Sequence, residues 1–183
     1  MRTLFPFPFP SLSRSLCGLL ALLLPLALLT ASCKKDDDTY TKLIEEHKAL
    51  DEQAFKDYLA KQNYSPADVV RRESGLYIIY TKRNPNAVQV QVGNKVKAQY
   101  VGQFLNGNTF DSSYDNSICQ CYGFQVGAGT VIKGWEEAFP QLRKGEEAKL
   151  LVPSHLAYGP SGTGSIPPYT PIMFDVVVAD VVK

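Results

Sequence analysis

The residues of this chain that could do chemistry are aromatic rather than nucleophilic. Short motifs built on Tyr, Phe and Trp recur along the second half of the 183-residue sequence. The Gly-x-Ser-x-Gly elbow, the phosphate-binding loop with its Lys and the His-Glu-x-x-His pair are all absent. An aromatic set of this kind is typical of an apolar pocket lined with rings, or of a β-rich core. The motifs are Tyr100-Val101-Gly102, Thr109-Phe110-Asp111, Val131-Ile132-Lys133-Gly134-Trp135, Ala157-Tyr158-Gly159, Ile166-Pro167-Pro168 and Phe174-Asp175.

Metal and cofactor chemistry finds little support in the sequence. The chain has two histidines, His47 and His155, and we interpret both as structural or exposed side chains. The loop Gly159 to Gly164 is rich in glycine but lacks the Lys and the following helix of a phosphate cradle. We therefore predict no metal site and no cofactor. The 19 basic and 18 acidic residues form no basic stripe, so a nucleic-acid partner is not expected.

The order of the motifs carries more information than any one of them. Alone, Trp135 is most simply a core residue, Phe124 a core filler and Asp111 a turn cap. Together, from about Ser74 to Lys183, the motifs resemble an FKBP-type peptidyl-prolyl cis-trans isomerase domain, in the order and near the spacing of that family. The resemblance implies an α+β fold in which a twisted antiparallel β-sheet half-wraps one short α-helix, with an apolar pocket between them.

The resemblance also implies roles for individual residues. Trp135 would form the floor under a proline ring, and Asp111 would lie beside the twisting amide and hold Tyr100 in place. The Tyr158 hydroxyl and the Ile132 backbone N–H would donate hydrogen bonds to a substrate carbonyl. The implied catalytic residues are Tyr100, Phe110, Asp111, Trp135, Tyr158 and Phe174. The implied substrate-binding residues are Tyr122, Phe124, Val131, Ile132 and Ile166.

The reaction that this family catalyses fits a site without a nucleophile. Rotation about a peptide bond has a barrier of about 18–20 kcal/mol, because the planar amide is stabilised by resonance. Twisting the C–N bond makes the amide less dipolar, so a dry aromatic pocket disfavours the planar state relative to the twisted one. The expected partners are proline-containing unfolded or envelope proteins, with macrolides of the tacrolimus and rapamycin type as inhibitors.

Four features depart from the family pattern. Tyr122 stands where the family usually has Phe, and the loop from Tyr114 to Gln120 is longer and lacks the Arg that often pairs with the aspartate. The loop from Gly159 to Ile166 is shorter. Cys119-Gln120-Cys121 adds two thiols at the pocket rim, and the sequence leaves open a strained disulfide, a metal pair or two separate thiols.

The N-terminus is typical of an export signal. Residues 1–32 combine Arg2 and Arg14 with an apolar run from Leu16 to Leu29, which is too short for a membrane-spanning helix. The segment Leu29-Thr30-Ala31-Ser32-Cys33 resembles a bacterial lipobox, with Thr30 at its weakest position. The resemblance implies lipid attachment at Cys33 and a location in the cell envelope, on the periplasmic face or the cell surface of a Gram-negative outer membrane. The alternative is a plain secretion signal in which Cys33 is an ordinary thiol.

The mature chain divides into three predicted parts. Residues 33–39 form a charged tether, which is either a surface-export signal or a solvated spacer. Residues 40–73 form a helical segment whose helix runs from Tyr40 to Asn63. Its apolar residues at helical spacing are Leu43, His47, Leu50, Ala54 and Tyr58, beside Phe55 and Leu59. This helix packs on the domain that follows, serves as a spacer arm, or pairs with a second copy in a homodimer.

Residues 74–183 form the predicted isomerase domain. There the apolar period changes to two, which predicts strands at Leu76–Lys82, Val96–Phe104, Ala148–Val152 and Ile172–Val178, and a short helix spans Ile132 to Leu142. A non-catalytic peptide-binding or holdase chaperone lipoprotein is the alternative function. A structural envelope lipoprotein with a degenerate pocket is a third.

Overall fold

The computed structural model describes residues 34–115 and 120–183, which contain a seven-stranded antiparallel sheet. Its strands follow the order β1-β2-β6-β7-β3-β4, and β5 pairs with β3. The sheet is accompanied by a long N-terminal helix and one short helix, which confirms the predicted α+β class. The strands are β1 Val69–Arg71, β2 Tyr77–Lys82, β3 Lys95–Phe104, β4 Thr109–Ser112, β5 Tyr122–Gln125, β6 Glu147–Val152 and β7 Ile172–Val182.

Strand β3 is the organising strand of the sheet. It pairs with β7 along its whole length, with β5 over its first half and with β4 over its second half. Because side chains alternate between the two faces of a strand, Val96 and Ala98 enter one core together with Leu150 of β6 and Val176 of β7. The four predicted strands are confirmed as β2, β3, β6 and β7, whereas the short strands β1, β4 and β5 were not predicted.

The short helix α2, Lys133–Ala138, lies against this core and continues as a 3-10 turn, Phe139–Gln141. A Cβ atom at Gly134 would lie 2.5 Å from Cγ1 of Val152. Glycine at this position therefore lets the helix approach β6 closely enough to bury the side chain of Trp135, which is 4% exposed. The predicted helix is confirmed, although its α-helical part is shorter than Ile132 to Leu142.

The long helix α1, Lys34–Ala60, covers the other face of the sheet. Phe55 is fully buried there against Tyr77 and Ile79 of β2, Leu151 of β6 and Met173 of β7. These strand residues alternate with those of the first core, so the sheet has an apolar layer on both faces. The helix thus packs on the sheet, as one of the alternatives for the N-terminal segment predicted.

The predicted face of α1 is partly wrong. Phe55, which the pattern placed beside the stripe, is fully buried, but Leu43 and Leu50 are 37% and 57% exposed. Asp51, which the pattern left out, is 2% exposed. The stripe that meets the rest of the protein is therefore rotated from the predicted one. The apolar pattern could not show this rotation, because the buried residue beside Leu50 is a carboxylate.

Two predicted boundaries also differ from the structure. The helix begins at Lys34, so the backbone of residues 34–39 in the predicted tether is helical, and the helix ends at Ala60 rather than Asn63. Strand β1 pairs Val69, Val70 and Arg71 with β2, so the sheet begins before residue 74. Residues 40–183 form one compact unit. The predicted signal peptide, Cys33 and Cys119 lie outside the described residues, and within the described ranges no helix is long and apolar enough to cross a membrane.

Candidate active site

A cavity of about 390 Å³ opens above the short helix, and five strands or helices contribute to its wall. Tyr100 comes from β3, Asp111 from β4, Tyr122 from β5, Trp135 from α2 and Phe174 from β7. Two loops complete the lining, with Gly129, Thr130, Val131 and Ile132 before α2 and Tyr158 after the 3-10 turn Ser154–Leu156. The structure thus brings most of the predicted site residues to one place.

Trp135 is the centre of the aromatic wall. Its ring centroid lies 5.2 Å from that of Tyr100 and 5.3 Å from that of Phe174, with interplanar angles of 83° and 77°. Edge-to-face packing of this kind is the favourable arrangement for aromatic pairs and fixes each ring against its neighbour. The indole is nearly buried, and its Nε1 finds no hydrogen-bond partner among the described residues. The floor of the cavity is therefore apolar and rigid.

Three predicted site residues are not among those that line the cavity. Phe124 is 7% exposed and packs behind the floor, with its ring 5.5 Å from Trp135 and 4.9 Å from Phe139. Phe110 packs edge-on against Phe174 at 5.7 Å. Ile166 is 6% exposed and closes a loop by backbone hydrogen bonds with Thr163. All three belong to the first core or pack against it.

The close packing behind the wall depends on Gly102. A Cβ atom there would lie 2.7 Å from Cε2 of Phe110 and 2.9 Å from Cε1 of Phe174. Any larger residue would push the Phe174 ring, and with it one wall of the cavity, out of position.

Asp111 and Tyr100 form the polar pair of the site. The Tyr100 hydroxyl donates to Asp111 Oδ2 at 2.7 Å, and the Ser112 N–H donates to Asp111 Oδ1 at 2.8 Å. Burial, together with the hydrogen bond to Asp111, raises the pKa of Tyr100 well above its usual range. Tyr100 therefore stays a donor at neutral pH, and its bond fixes one carboxylate oxygen at the cavity wall.

Two further donors are available in the cavity. Burial raises the pKa of Tyr158, and the charge of Asp111 raises it further, so this phenol is protonated at neutral pH. Its hydroxyl has no hydrogen-bond partner among the described residues. Ile132 caps α2 by accepting hydrogen bonds at its carbonyl from Trp135 and Glu136, and its own N–H donates to no described residue. A carbonyl group in the cavity could accept from both donors.

Glu136 shapes the cavity without lining it, and the motif analysis did not single it out. Its carboxylate accepts hydrogen bonds from the Gly127 N–H at 2.5 Å and the Gly129 N–H at 2.8 Å. This ties the loop that carries Thr130, Val131 and Ile132 to α2. Its position one residue after Trp135, on a helix that follows a glycine-rich turn, is the only sequence signal for this role.

The two histidines and Cys121, the cysteine within the described residues, are not among the residues that line this cavity. The His47 ring stacks on Tyr169, and His155 Nε2 donates to the Ser74 carbonyl at 3.1 Å. Cys121 is half-buried, directly before β5. Within the described ranges, no group of three or more His, Cys, Asp or Glu side chains could hold a metal ion.

The fold is an antiparallel sheet packed on a short helix. The aromatic cavity between the sheet and the helix is its candidate ligand site. Residues 86–179 match the family model of the FKBP-type peptidyl-prolyl cis-trans isomerases. The chain belongs to this family, and its enzyme class is that of a peptidyl-prolyl cis-trans isomerase.

Relatives and solved structures agree with the family. The peptidyl-prolyl cis-trans isomerase FPR2 of Saccharomyces cerevisiae is 43% identical over 96 residues, which cover 51% of this chain and 70% of the relative. FK506-binding protein 1 of Kluyveromyces lactis is 48% identical over 86 residues, which cover 46% of this chain and 73% of the relative. The crystal structure of a peptidyl-prolyl cis-trans isomerase from Pseudomonas syringae superposes with a TM-score of 0.59 at 26% identity, covering 74% of this chain and 96% of that one. The crystal structure of FkpA from Escherichia coli superposes with a TM-score of 0.62 at 27% sequence identity, covering 80% of this chain and 64% of FkpA.

Proposed function

We propose that this chain catalyses rotation about X–Pro bonds in extracytoplasmic proteins by stabilising the twisted amide in the aromatic cavity. The observation that carries the proposal is the meeting of the Trp135 floor and the Tyr158 hydroxyl in one cavity of about 390 Å³. This hydroxyl has no hydrogen-bond partner within the described part of the chain. A ring of proline size can lie on the indole while the preceding carbonyl faces the donors.

The chemistry of the cavity wall supports the proposed mechanism. In the planar amide, resonance places partial negative charge on oxygen and shortens the C–N bond. Rotation removes this charge separation. Transfer from water to the apolar wall of Trp135, Phe174 and Tyr122 is therefore less unfavourable for the twisted amide than for the planar amide. The Tyr158 hydroxyl and the Ile132 N–H hold the carbonyl while the C–N bond turns. No proton leaves and no covalent intermediate forms.

Each contribution is of modest size. A lowering of the barrier by 1.36 kcal/mol corresponds to about a tenfold rate increase, and one hydrogen bond contributes about 0.5–1.5 kcal/mol. The Asp111 carboxylate, held by Tyr100 and Ser112, places a fixed negative charge beside the turning amide. We propose the same cavity for macrolides of the FK506 type, because the name of the K. lactis relative records such binding for that protein.

The test is a prolyl-isomerisation assay on the chain, using peptides that vary the residue before proline, with and without an FK506-type macrolide. We expect acceleration that the macrolide inhibits. Tyr158→Phe removes only the donor hydroxyl and should lower kcat/KM by about threefold to tenfold. The matched control is Tyr40→Phe, since Tyr40 is 51% exposed on α1 and lies outside the cavity lining. A folded wild-type chain without acceleration would overturn the proposal.

A peptide-binding chaperone is the second candidate, and exposed apolar side chains on α1 favour it. Tyr40, Leu43 and Leu50 are 51%, 37% and 57% exposed along the helix, which offers an unfolded chain a second contact surface. Suppression of client aggregation that stays at the wild-type level in Tyr158→Phe, whose isomerase activity is expected to be reduced, would support this function beside or instead of catalysis.

We further propose that the protein is anchored in the cell envelope by a lipid on Cys33. The support is the lipobox-like sequence Leu29 to Cys33 after an apolar run, a combination that would place the domain beside exported clients. Cys33→Ser should move the protein from the membrane fraction to the soluble fraction of a Gram-negative host. Cys17→Ser is the matched control, because it removes a cysteine from the apolar run and leaves Cys33 in place. Retention of the Cys33→Ser variant in the membrane would contradict the anchor.

A further inference from the structure

The N-terminal helix contacts the segment that carries Tyr158 through a buried carboxylate. Asp51 Oδ2 accepts hydrogen bonds from the Ser154 N–H at 2.8 Å and the Ser154 hydroxyl at 2.6 Å, and both residues are buried. Burial raises the pKa of Asp51, and the bonds from Ser154 offset part of that rise. A buried carboxylate is unfavourable unless it is hydrogen-bonded, so these two bonds fix Ser154 firmly to the helix.

Ser154 lies four residues before Tyr158. It begins the 3-10 turn Ser154–Leu156, and its carbonyl accepts from the Ala157 N–H at 3.1 Å. Tyr158 follows directly. The backbone conformation on the N-terminal side of the phenol is therefore set by a residue that α1 holds.

One turn earlier on α1, His47 contacts the other end of the same segment. Its ring stacks on Tyr169 with centroids 3.9 Å apart and an angle of 6° between the planes. Tyr169 has a φ of +53°, in the left-handed region that bulky residues rarely adopt, and its N–H donates to the Gly159 carbonyl at 2.8 Å. The stacked ring thus holds a strained residue whose backbone is bonded to the neighbour of Tyr158.

We propose that His47 and Asp51 are positioning residues of the active site, which hold the two ends of the segment from Ser154 to Tyr169 and thereby place the Tyr158 hydroxyl. This inference rests on the proposed function, because it concerns the role of Tyr158 in it. A displacement of about 1 Å in a reacting group can cost about a hundredfold in rate, so a helix outside the cavity can control catalysis in this way.

The experiment compares Asp51→Ala and His47→Ala with Glu52→Gln in the full chain. Glu52 is the matched control, because it also joins α1 to the sheet, accepting from Arg71 at 3.0 Å and Tyr77 at 2.9 Å. All three variants should lower the denaturation midpoint. We expect Asp51→Ala and His47→Ala to reduce kcat/KM by about fivefold to tenfold, and Glu52→Gln to leave it within about twofold. Asp51→Asn retains one acceptor for Ser154 and should restore part of the rate.

A double-mutant cycle distinguishes the positioning of the Tyr158 hydroxyl from a general destabilisation of the fold. If Asp51 acts through the Tyr158 hydroxyl, the loss caused by Asp51→Ala should shrink to about twofold or less in the Tyr158→Phe background. Losses that multiply fully in the double variant, or an unchanged kcat/KM in folded Asp51→Ala, would overturn the proposal.

Amide hydrogen exchange keeps the two proposals distinguishable. Exchange at Ala157 and Tyr169, whose N–H groups hold the segment, should rise about tenfold or more in Asp51→Ala and His47→Ala and stay unchanged in Glu52→Gln. A wild-type chain without isomerase activity would overturn the proposed function. The amide exchange rates would still show whether α1 holds the segment from Ser154 to Tyr169. Equal exchange in all variants would overturn the positioning role.

Discussion

At the scale of single residues, Glu136 shows how a side chain outside the cavity can set the shape of its wall. Two backbone N–H groups, those of Gly127 and Gly129, converge on its carboxylate. Each carboxylate oxygen serves one of them, so the loop is fixed at two points immediately before the residues that line the cavity. An ionised acceptor makes these bonds stronger than those to a neutral amide.

We expect Glu136→Gln to weaken macrolide binding without unfolding the domain. Glutamine has the same shape but only one acceptor oxygen, so its NH2 group would face one of the two N–H groups. With about 1 kcal/mol lost at this partly exposed site, the Kd measured by titration calorimetry should rise about fivefold.

The neighbouring residue supplies the control for this prediction. Glu137 lies on the same helix but accepts hydrogen bonds from Ser74 and Arg72, away from the loop. Glu137→Gln should therefore leave macrolide affinity unchanged. Equal affinities for the two variants would show that the carboxylate of Glu136 does not hold the wall.

At the scale of elements, β3, β6 and β7 were predictable because their apolar residues alternate, and β2 because it is one continuous apolar run. The short helix was predictable from its place after the turn from Gly127 to Gly129. β6 is the instructive case. Ala148, Leu150 and Val152 share the face that meets α2, and the pattern predicts them. Leu151 on the opposite face is also fully buried, because α1 covers it with Phe55. Alternation in the sequence shows that one face of a strand is apolar. It does not show which distant element covers the opposite face of that strand.

The site was predicted through the order of its motifs rather than through geometry. Tyr100 and Asp111 lie on strands paired so that Gly102 faces Asp111, and only this register brings the phenol within 2.7 Å of the carboxylate. Phe110, Phe124 and Ile166 could not be separated from the lining residues, because an apolar side chain behind the cavity wall and one in the wall have the same sequence pattern. Asp51 was missed because its partner Ser154 is 103 residues away.

At the scale of the whole molecule, the interface between α1 and the rest of the compact unit contains two ionisable groups with opposite pKa shifts. Burial raises the pKa of Asp51, and burial lowers the pKa of His155, with the charge of Lys48 lowering it further. The Ser74 carbonyl, Asp51 and Glu45 favour the imidazolium but do not outweigh its desolvation. The stability of the folded chain therefore depends on pH through this interface.

The sign of the dependence differs between the two groups. In the unfolded chain His155 binds its proton near pH 6.5, whereas in the folded chain it does so only at lower pH. The free energy of unfolding therefore falls as the pH drops from 6.5 toward the folded pKa of His155, by at most about 1.4 kcal/mol per pH unit. Asp51 acts in the opposite direction, because its folded pKa lies above its ordinary value of 3.8.

Urea denaturation between about pH 7.5 and 5.5 would measure the contribution of His155. The wild-type chain should lose stability across this range, and His155→Gln should lose less, because glutamine can still donate to the Ser74 carbonyl but does not titrate. The matched control is His47→Gln, which removes the chain's other histidine and should retain the loss. An identical pH dependence in wild type and His155→Gln would assign the effect to other groups. A flatter curve in His155→Gln alone would show that the interface beneath α1, which also holds the Tyr158 segment, weakens as the imidazole gains its proton.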